Sequence, residues 1–260
     1  MKTQLPDIKI PGASSVKMGE PIIEISNLRK SFDNQQVLKN VSLKLFPGEN
    51  LVVLGKSGSG KSVLIKCIIG LLNPDGGTIK VLGEHINTLS DSGLGELRKK
   101  IGFLFQSGAL YDSMTVKQNL EFPLKRIKKS STPKEKEEKI KEVLENVGLA
   151  DALNKMPSQL SGGMRKRISL ARTIVVDPLI MLYDEPTTGL DPVTSDEISG
   201  LIGNIQKKYK TSSIIITHDI ECARQTADRL IMLKDGEVYL EGKLEEFEKS
   251  KDPVIKSFFK

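Results

Sequence analysis

The feature that most constrains this sequence is a glycine-rich segment that directly follows a short apolar run. The apolar run covers residues 51–54, and the segment after it reads Gly55-Lys56-Ser57-Gly58-Ser59-Gly60-Lys61-Ser62. The run predicts a strand that is buried on both faces, and residues 61–69 predict a helix. The spacing G-x-x-x-x-G-K-[ST] between a strand and a helix is typical of a loop that binds phosphate groups.

The chemistry of phosphate binding explains the composition of this loop. Glycines let the main chain form a concave set of N–H donors, and the N-terminus of the following helix adds partial positive charge. Lys61 is expected to reach the β- and γ-phosphates, and the Ser62 hydroxyl is expected to ligate Mg²⁺. A chance glycine-rich turn is the alternative, which the strand and the helix on either side disfavour. The predicted ATP-binding residues are Gly55, Lys56, Ser57, Gly58, Ser59, Gly60, Lys61 and Ser62.

A second apolar run, residues 180–183, ends in the two acidic residues Asp184 and Glu185. Active sites in open α/β sheets lie at the carboxyl ends of the strands. Successive residues of a strand point in opposite directions, so the two carboxylates can serve different purposes. We expect Asp184 to hold Mg²⁺ through water and Glu185 to orient or deprotonate the attacking water. A pair of solvated turn acids is the alternative, and the phosphate loop argues against it.

The remaining pattern predicts an α/β fold with a mostly parallel core sheet, flanking helices and a small antiparallel β subdomain. Residues 1–20 are rich in Pro, Gly and Ser and predict a flexible tail, and residues 21–242 predict the ATPase domain. A helix-rich insert is predicted at about residues 107–175, with helical patterns at residues 115–148 and 165–176. Asp235-Gly236 predicts a hairpin turn, and residues 243–260 predict a tail of short helices.

The charge balance is basic, with 39 Lys and Arg against 33 Asp and Glu. Nucleic-acid binding is one interpretation, but the basic residues are spread out rather than clustered with aromatic residues, which favours no nucleic-acid partner. The cysteines, Cys67 and Cys222, lack metal-site spacing and are expected to be reduced thiols, as in the cytosol. No run approaches the ~18 apolar residues that span a bilayer, so another chain is expected to supply any membrane part.

Leu160-Ser161-Gly162-Gly163-Met164 resembles the signature loop of the ABC ATPase family, and the resemblance covers about residues 22–242. Gln106 is similar to the glutamine of that family's Q-loop, and residues 189–191 to its D-loop. His218 matches the switch histidine, and Phe32 lies where an aromatic residue stacks on adenine. Ordinary packing is the alternative for a lone histidine or phenylalanine, and it is strongest for Phe32.

The resemblance implies that two copies of the chain face each other head to tail with ATP between them. Met164 departs from the usual Gln, and Lys56 is an unusual charge in a phosphate loop. The residues implied to contact ATP beyond the phosphate loop are Phe32, Ser161, Gly162, Gly163 and Asp191. The implied catalytic residues are Gln106, Glu185 and His218. The implied Mg²⁺ ligands are Ser62, Gln106 and Asp184. An integral membrane permease is the implied partner, with the chain peripheral on the cytoplasmic face of the inner membrane.

A finer resemblance is to the ATPases of the Mla/MCE lipid transport systems, and it concerns residues 105–116, Asn119, residues 122–124, residues 160–167 and residues 252–259. It implies phospholipid cargo, an MCE-domain lipid-binding partner and a small regulatory subunit at the tail. Amino-acid or ion importers and lipoprotein-release systems are alternatives. A soluble ABC protein acting on ribosomes or DNA, and a non-catalytic nucleotide-binding regulator, are more distant ones.

Overall fold

The computed structural model describes residues 19–33 and 35–259, so most of the predicted N-terminal tail lies outside the described residues. The strands are β1 (Ile23–Phe32), β2 (Gln35–Leu45), β3 (Asn50–Leu54), β4 (Gly76–Val81), β5 (Glu84–His85), β6 (Ile101–Leu104), β7 (Ile180–Asp184), β8 (Ser212–Thr217), β9 (Arg229–Lys234) and β10 (Glu237–Gly242). The α-helices are α1 (Lys61–Ile68), α2 (Asp91–Arg98), α3 (Val116–Ile127), α4 (Pro133–Asn146), α5 (Gly162–Ile174), α6 (Pro192–Tyr209), α7 (Ile220–Thr226), α8 (Leu244–Glu248) and α9 (Pro253–Lys256).

The strands form one sheet in the order β5-β4-β1-β2-β10-β9-β3-β8-β7-β6. The pairings of β3 with β8 and β9, of β8 with β7, and of β7 with β6 are parallel. β1, β2, β4 and β5 pair in antiparallel fashion, and β9 pairs with β10 likewise. The predicted parallel core sheet with an antiparallel β layer is therefore confirmed.

The central strand β3 is buried on both faces, as its apolar run predicts. Val52 and Leu54 belong to one core cluster, which α3, α4 and α5 help to build. Leu51 and Val53 belong to the cluster on the opposite face, which includes the buried side chains of α1. Alternate residues of a strand point to opposite faces, so a strand between two helical layers has no position for a polar side chain facing water.

The helix-rich segment differs in detail from the sequence prediction. Residues 115–148 form two helices rather than one, because Thr132 caps a new helix whose first residue is Pro133. Helix α5 begins at Gly162 rather than at 165, since the Ser161 hydroxyl accepts a hydrogen bond from the Met164 amide at 3.2 Å. Caps of this kind satisfy amides that have no partner within the helix. The division into core domain and insert remains a prediction.

Within the described part of the chain, no helix is long and apolar enough to cross a membrane.

Arg229 at the start of β9 joins three parts of the sheet. Its guanidinium donates to both carboxylate oxygens of Glu49, at 2.7 and 3.0 Å, in a bidentate pair. It also donates to the Lys44 carbonyl and to the Glu241 carboxylate. The Glu49 side chain is only 13% exposed, so the loss of its partner would leave a charge largely removed from water.

We expect Arg229→Met to lower the free energy of unfolding by about 2 kcal/mol, because hydrogen bonds to a shielded charge are lost while the aliphatic packing is kept. Urea denaturation followed by circular dichroism measures the change. Arg224→Met, which removes a more exposed ion pair with Glu248, should change it by less than about 0.5 kcal/mol. Equal effects of the two substitutions on the free energy of unfolding would contradict a special contribution of the Arg229 hydrogen bonds to stability.

Candidate functional site

A cavity of about 720 Å³ opens at the carboxyl ends of the parallel strands. Part of its wall is the glycine-rich loop that runs from β3 into α1. Gln106 enters from the segment after β6, Glu185 from the end of β7 and His218 from the end of β8. Lys56 and His218, which are 162 positions apart in the sequence, therefore face one space.

Lys61 is buried at the floor of this cavity. Its ammonium group donates to the main-chain carbonyls of Gly55 at 2.7 Å and Lys56 at 3.1 Å. It also lies 3.5 Å from Oε1 of Glu185. Burial lowers the pKa of Lys61, while the negative charge of Glu185 acts in the opposite direction. The loop thus holds a positive charge at the place where phosphate oxygens would be bound.

Two glycines of the loop are required by the close approach of neighbouring chain segments. A Cβ atom on Gly55 would lie 2.6 Å from the Leu233 carbonyl oxygen. Gly60 has φ +99°, and a Cβ atom there would lie 2.7 Å from Cδ2 of Leu38. A side chain at either position would displace the loop from the strands that support it.

Asp184, the last residue of β7, pairs with the start of α1. The Ser62 hydroxyl donates to Oδ1 of Asp184 at 3.0 Å. Burial raises the pKa of Asp184, and the hydrogen bond from Ser62 opposes that shift. A hydroxyl and a carboxylate oxygen side by side are ligands suited to Mg²⁺, which takes few protein ligands when phosphate oxygens complete its coordination. The residues present therefore fit the predicted metal.

The Glu185 carboxylate is held by neighbours from two other segments. Nδ1 of His218 lies 2.7 Å from Oε2, and the Thr188 hydroxyl donates to the same oxygen at 3.2 Å. The main chain at Glu185 is left-handed, with φ +51°, a conformation that is uncommon outside glycine. Glu185 and His218 are among the residues predicted from sequence, whereas Thr188 is not, because a short polar side chain in a turn gives no separate signal.

Several predicted residues lie outside the lining of this cavity within the single chain. Ser161 caps α5, and the Asp191 carboxylate caps α6 by accepting from the Thr194 amide at 3.0 Å. The starts of α5 and α6 are in close contact. Gly163 lies so near Thr194 that a Cβ atom at Gly163 would be 2.5 Å from the Thr194 Cγ2 methyl group. The signature loop and the D-loop thus pack against each other, outside the lining of the cavity that the phosphate loop of their own chain borders.

Phe32, the predicted adenine-stacking residue, is 41% exposed at the end of β1 and is also absent from the described lining. The Lys30 ammonium lies 5.4 Å from the centre of its ring. Its role remains a prediction.

The C-terminal tail contributes lining that the sequence analysis did not predict. Ser257 and Phe258 border the cavity described above. With Pro253 and Val254 they also border a second cavity of about 760 Å³, which shares residues 56–58 of its lining with the first. The tail was singled out from sequence only by resemblance, since nothing in its composition shows where it packs.

An aromatic groove lies between the Gln106 segment and α3. Tyr111 and Phe122 pack with ring centres 5.1 Å apart, and the Arg172 guanidinium lies 5.5 Å from the Tyr111 ring. The buried Asn119 side chain fixes this segment, because it accepts from the Tyr111 amide and donates to the carbonyls of Tyr111, Met114 and Thr115. Elsewhere in this segment, Ala109 and Tyr111 are exposed, whereas Leu110 and Met114 are partly buried.

The family model described as "ABC transporter" matches residues 38–188. The chain belongs to the ABC transporter family. The match begins in β2 and ends at Thr188, so it includes the phosphate loop, the signature loop and the Asp184–Glu185 pair.

Curated relatives agree with this assignment. The chain is 37% identical over 252 residues to a methionine import ATP-binding protein, MetN, of Brucella abortus, covering 96% of this chain and 66% of that protein. It is 40% identical over 253 residues to the probable ribonucleotide transport ATP-binding protein mkl of Mycobacterium leprae, covering 96% of this chain and 71% of the relative. The chain therefore spans about two thirds of the length of these relatives.

Solved structures show the same fold. A dimeric structure of the ATP-binding cassette MJ0796, in a post-hydrolysis state bound to ADP and phosphate, is 34% identical with a TM-score of 0.78, covering 85% of this chain and 98% of that chain. The protein cbiO1 of Clostridium perfringens, part of the cbiONQ transporter complex, is 30% identical with a TM-score of 0.81, covering 92% and 95%. The fold is that of an ABC ATPase cassette.

We expect Lys61→Ala to weaken the affinity for ATP about 10- to 100-fold, because charge-assisted hydrogen bonds of about 1.5–3 kcal/mol are lost. Isothermal titration calorimetry gives the dissociation constant. Lys99→Ala is the control, since it removes the same charge from an exposed position at the end of α2. A dissociation constant for Lys61→Ala equal to that of the control would rule out this loop as the phosphate site.

Proposed function

We propose that the chain binds and hydrolyses MgATP as the nucleotide-binding subunit of an ABC transporter. The observation that carries the proposal is the convergence of Lys61, Gln106, Glu185 and His218 on one cavity beside the Ser62–Asp184 pair. Each of these side chains comes from a different segment, so the arrangement is a property of the fold rather than of one motif. The similar MJ0796 structure, an ATP-binding cassette bound to ADP and phosphate, supports the same nucleotide.

The proposed substrate site uses the phosphate loop in two ways. The main-chain amides of residues 57–62 bind oxygens of the β- and γ-phosphates, aided by the N-terminal end of α1. The Lys61 ammonium exchanges its carbonyl partners, Gly55 and Lys56, for phosphate oxygens. Ser62, Asp184 and Gln106 would hold Mg²⁺, which supplies neutralisation of the phosphate charge when it is bound.

Glu185 is proposed as the general base. Its carboxylate takes a proton from a water molecule while the water oxygen attacks the γ-phosphorus, and the bond to the ADP oxygen breaks. His218 and Thr188 hold Oε2 from two sides, at 2.7 and 3.2 Å, so the carboxylate cannot rotate freely. A base that is fixed within reach of the water is the arrangement that general-base catalysis needs.

We further propose that the working unit is a dimer in which Ser161, Gly162 and Gly163 bind the γ-phosphate held by the other copy. Their position outside the lining of their own chain's cavity supports this assignment. In the same assembly Asp191 would lie next to the partner's nucleotide, since its cap packs against Gly163 through Thr194. The MJ0796 cassette described as dimeric has the same fold.

Phospholipid, or a related lipid, is the proposed cargo, by resemblance to the Mla/MCE ATPases of residues 105–116, Asn119, residues 122–124, residues 160–167 and residues 252–259. In this proposal the chain lies on the cytoplasmic face of the inner membrane, bound to a permease, an MCE-domain protein and a small regulatory subunit. The aromatic groove of Tyr111 and Phe122 is the proposed docking site for the permease. Amino-acid import is the second candidate, because the Brucella relative is a methionine import protein.

We expect Glu185→Gln to lower the ATPase rate about 10²- to 10⁴-fold while ATP still binds, because the base is lost but the shape is kept. Phosphate release from the purified transporter complex measures the rate. Glu84→Gln, an exposed position in the edge strand β5, should leave the rate unchanged. Hydrolysis by Glu185→Gln at the rate of the unmodified protein would exclude Glu185 as the base.

The same variant tests the dimer. With ATP, Glu185→Gln should accumulate as a dimer in size-exclusion chromatography, since hydrolysis no longer separates the copies. Adding Ser161→Arg should abolish that dimer and leave ATP binding by the monomer intact. A dimer that persists with Ser161→Arg would show that the signature loop does not contribute to the interface.

The cargo is tested on the native complex, extracted from membranes with detergent and analysed for bound lipid and for its subunits. We expect a permease, an MCE-domain protein and co-purifying phospholipid. A permease with a periplasmic amino-acid-binding protein and no bound phospholipid would exclude the lipid cargo and leave the ATPase assignment intact.

A further inference from the structure

Lys166, in the second turn of α5, is a buried lysine that the proposed chemistry does not use. Its side chain is 6% exposed. The ammonium group donates to the main-chain carbonyl of Gln106 at 2.8 Å and makes a longer contact of 3.5 Å with the carbonyl of Glu185. The two acceptors belong to the segments that follow β6 and β7, so one side chain touches both segments that face the γ-phosphate.

A buried ammonium group is costly, because removing it from water costs several kcal/mol. Burial lowers the pKa of Lys166 to about 8, and the charges of Asp184 and Glu185 act in the opposite direction. An apolar side chain such as Met would fill the same space without that cost. The presence of lysine is therefore explained by the hydrogen bonds of its ammonium group to the carbonyls of Gln106 and Glu185 rather than by packing.

Two further observations show that α5 and these segments are tightly fitted. A Cβ atom on Gly108 would lie 2.6 Å from the Ser169 hydroxyl, one turn further along α5. The main chain at Glu185 has the left-handed φ of +51°. Residues other than glycine rarely adopt this conformation, and it needs support from the surrounding structure. The Lys166 ammonium contacts the carbonyl of that same residue.

Lys166 lies on the helix that also carries the signature loop. Helix α5 begins at Gly162, within the signature loop, and Lys166 lies five residues after Ser161. In the proposed dimer Ser161 contacts the nucleotide of the partner, whereas Gln106 and Glu185 act on the nucleotide of their own chain. Lys166 therefore lies between the residues that serve one site and those that serve the other.

Building on the proposed function, we propose that Lys166 is a positioning residue that ties the Gln106 and Glu185 segments to α5 and so couples the two ATP sites of the dimer. When the signature end of α5 closes on the partner's nucleotide, the Lys166 contacts carry that movement to the general base and to Gln106. A helix is stiff over the turn and a half between Ser161 and Lys166, so the displacement is transmitted with little loss.

The test compares Lys166→Met with Lys166→Arg in the full transporter complex. We expect Lys166→Met to lower kcat about 10- to 100-fold, the effect of a small displacement of catalytic groups, with KM for ATP changed by less than about twofold because the phosphate loop is untouched. We expect Lys166→Arg, which keeps a cationic donor, to restore most of kcat. The Hill coefficient for ATP should fall towards 1 in Lys166→Met.

Lys139→Met is the matched control, since Lys139 is a partly buried lysine on α4 that pairs with Asp177 and Glu142. It should leave kcat and the Hill coefficient unchanged. Thermal unfolding of all variants separates positioning from folding. If Lys166→Met and Lys166→Arg lose stability and kcat to the same degree, the lysine is structural and the proposal is wrong.

Mixed dimers test the coupling directly. One chain carries both Glu185→Gln and Lys166→Met, so the only remaining base belongs to the unmodified partner. We expect hydrolysis by that partner to be about tenfold slower than in a dimer whose first chain carries Glu185→Gln alone. Equal rates would overturn the coupling. If the unmodified complex shows no ATPase activity, the proposed function fails instead, which keeps the two failures distinct.

Discussion

The register of the parallel strands is the constraint on which the rest of the site depends. Leu54 pairs with Thr217, Asp184 with Ile216 and Leu104 with Tyr183, so the four central strands end in one row. The next residues along each chain segment are then Gly55, Glu185, His218 and, two positions past β6, Gln106. A shift of one residue in any strand would turn its side chains to the opposite face. The site residue that follows that strand would then no longer lie in the row.

Buried charge is concentrated where that row lies. Lys61 and Lys166 are cations, Asp184 and Glu185 are carboxylates, and all four are less than 9% exposed. The two lysines differ in their partners: Lys61 faces the cavity, whereas Lys166 supports the main chain behind it. Opposite charges in a region of low dielectric stabilise one another strongly. The removal of any one of these four charges would therefore change the electrostatic stabilisation of the other three.

Much of the fold and site could be predicted from sequence because the signals are local. The phosphate loop lies between a strand and a helix in eight consecutive residues, and the buried strands β3, β7 and β8 are short apolar runs. The roles of Thr188, Lys166 and Phe258 could not be predicted, because each depends on a partner in another segment. Lys166 and Gln106 are sixty positions apart, and no periodicity in the sequence relates them. The break between α3 and α4 differs from the predicted helical pattern at residues 115–148, although Thr132-Pro133 is a typical helix start.

The C-terminal tail has a practical consequence for anyone who handles this protein. Because Ser257 and Phe258 border the cavity at the phosphate loop, an affinity tag or fluorescent protein fused directly after residue 260 would begin within a few residues of that cavity. Such a fusion would change the access and the local charge of the very site being assayed. For activity assays, an affinity tag is therefore better attached to a partner subunit or removed by a protease before measurement.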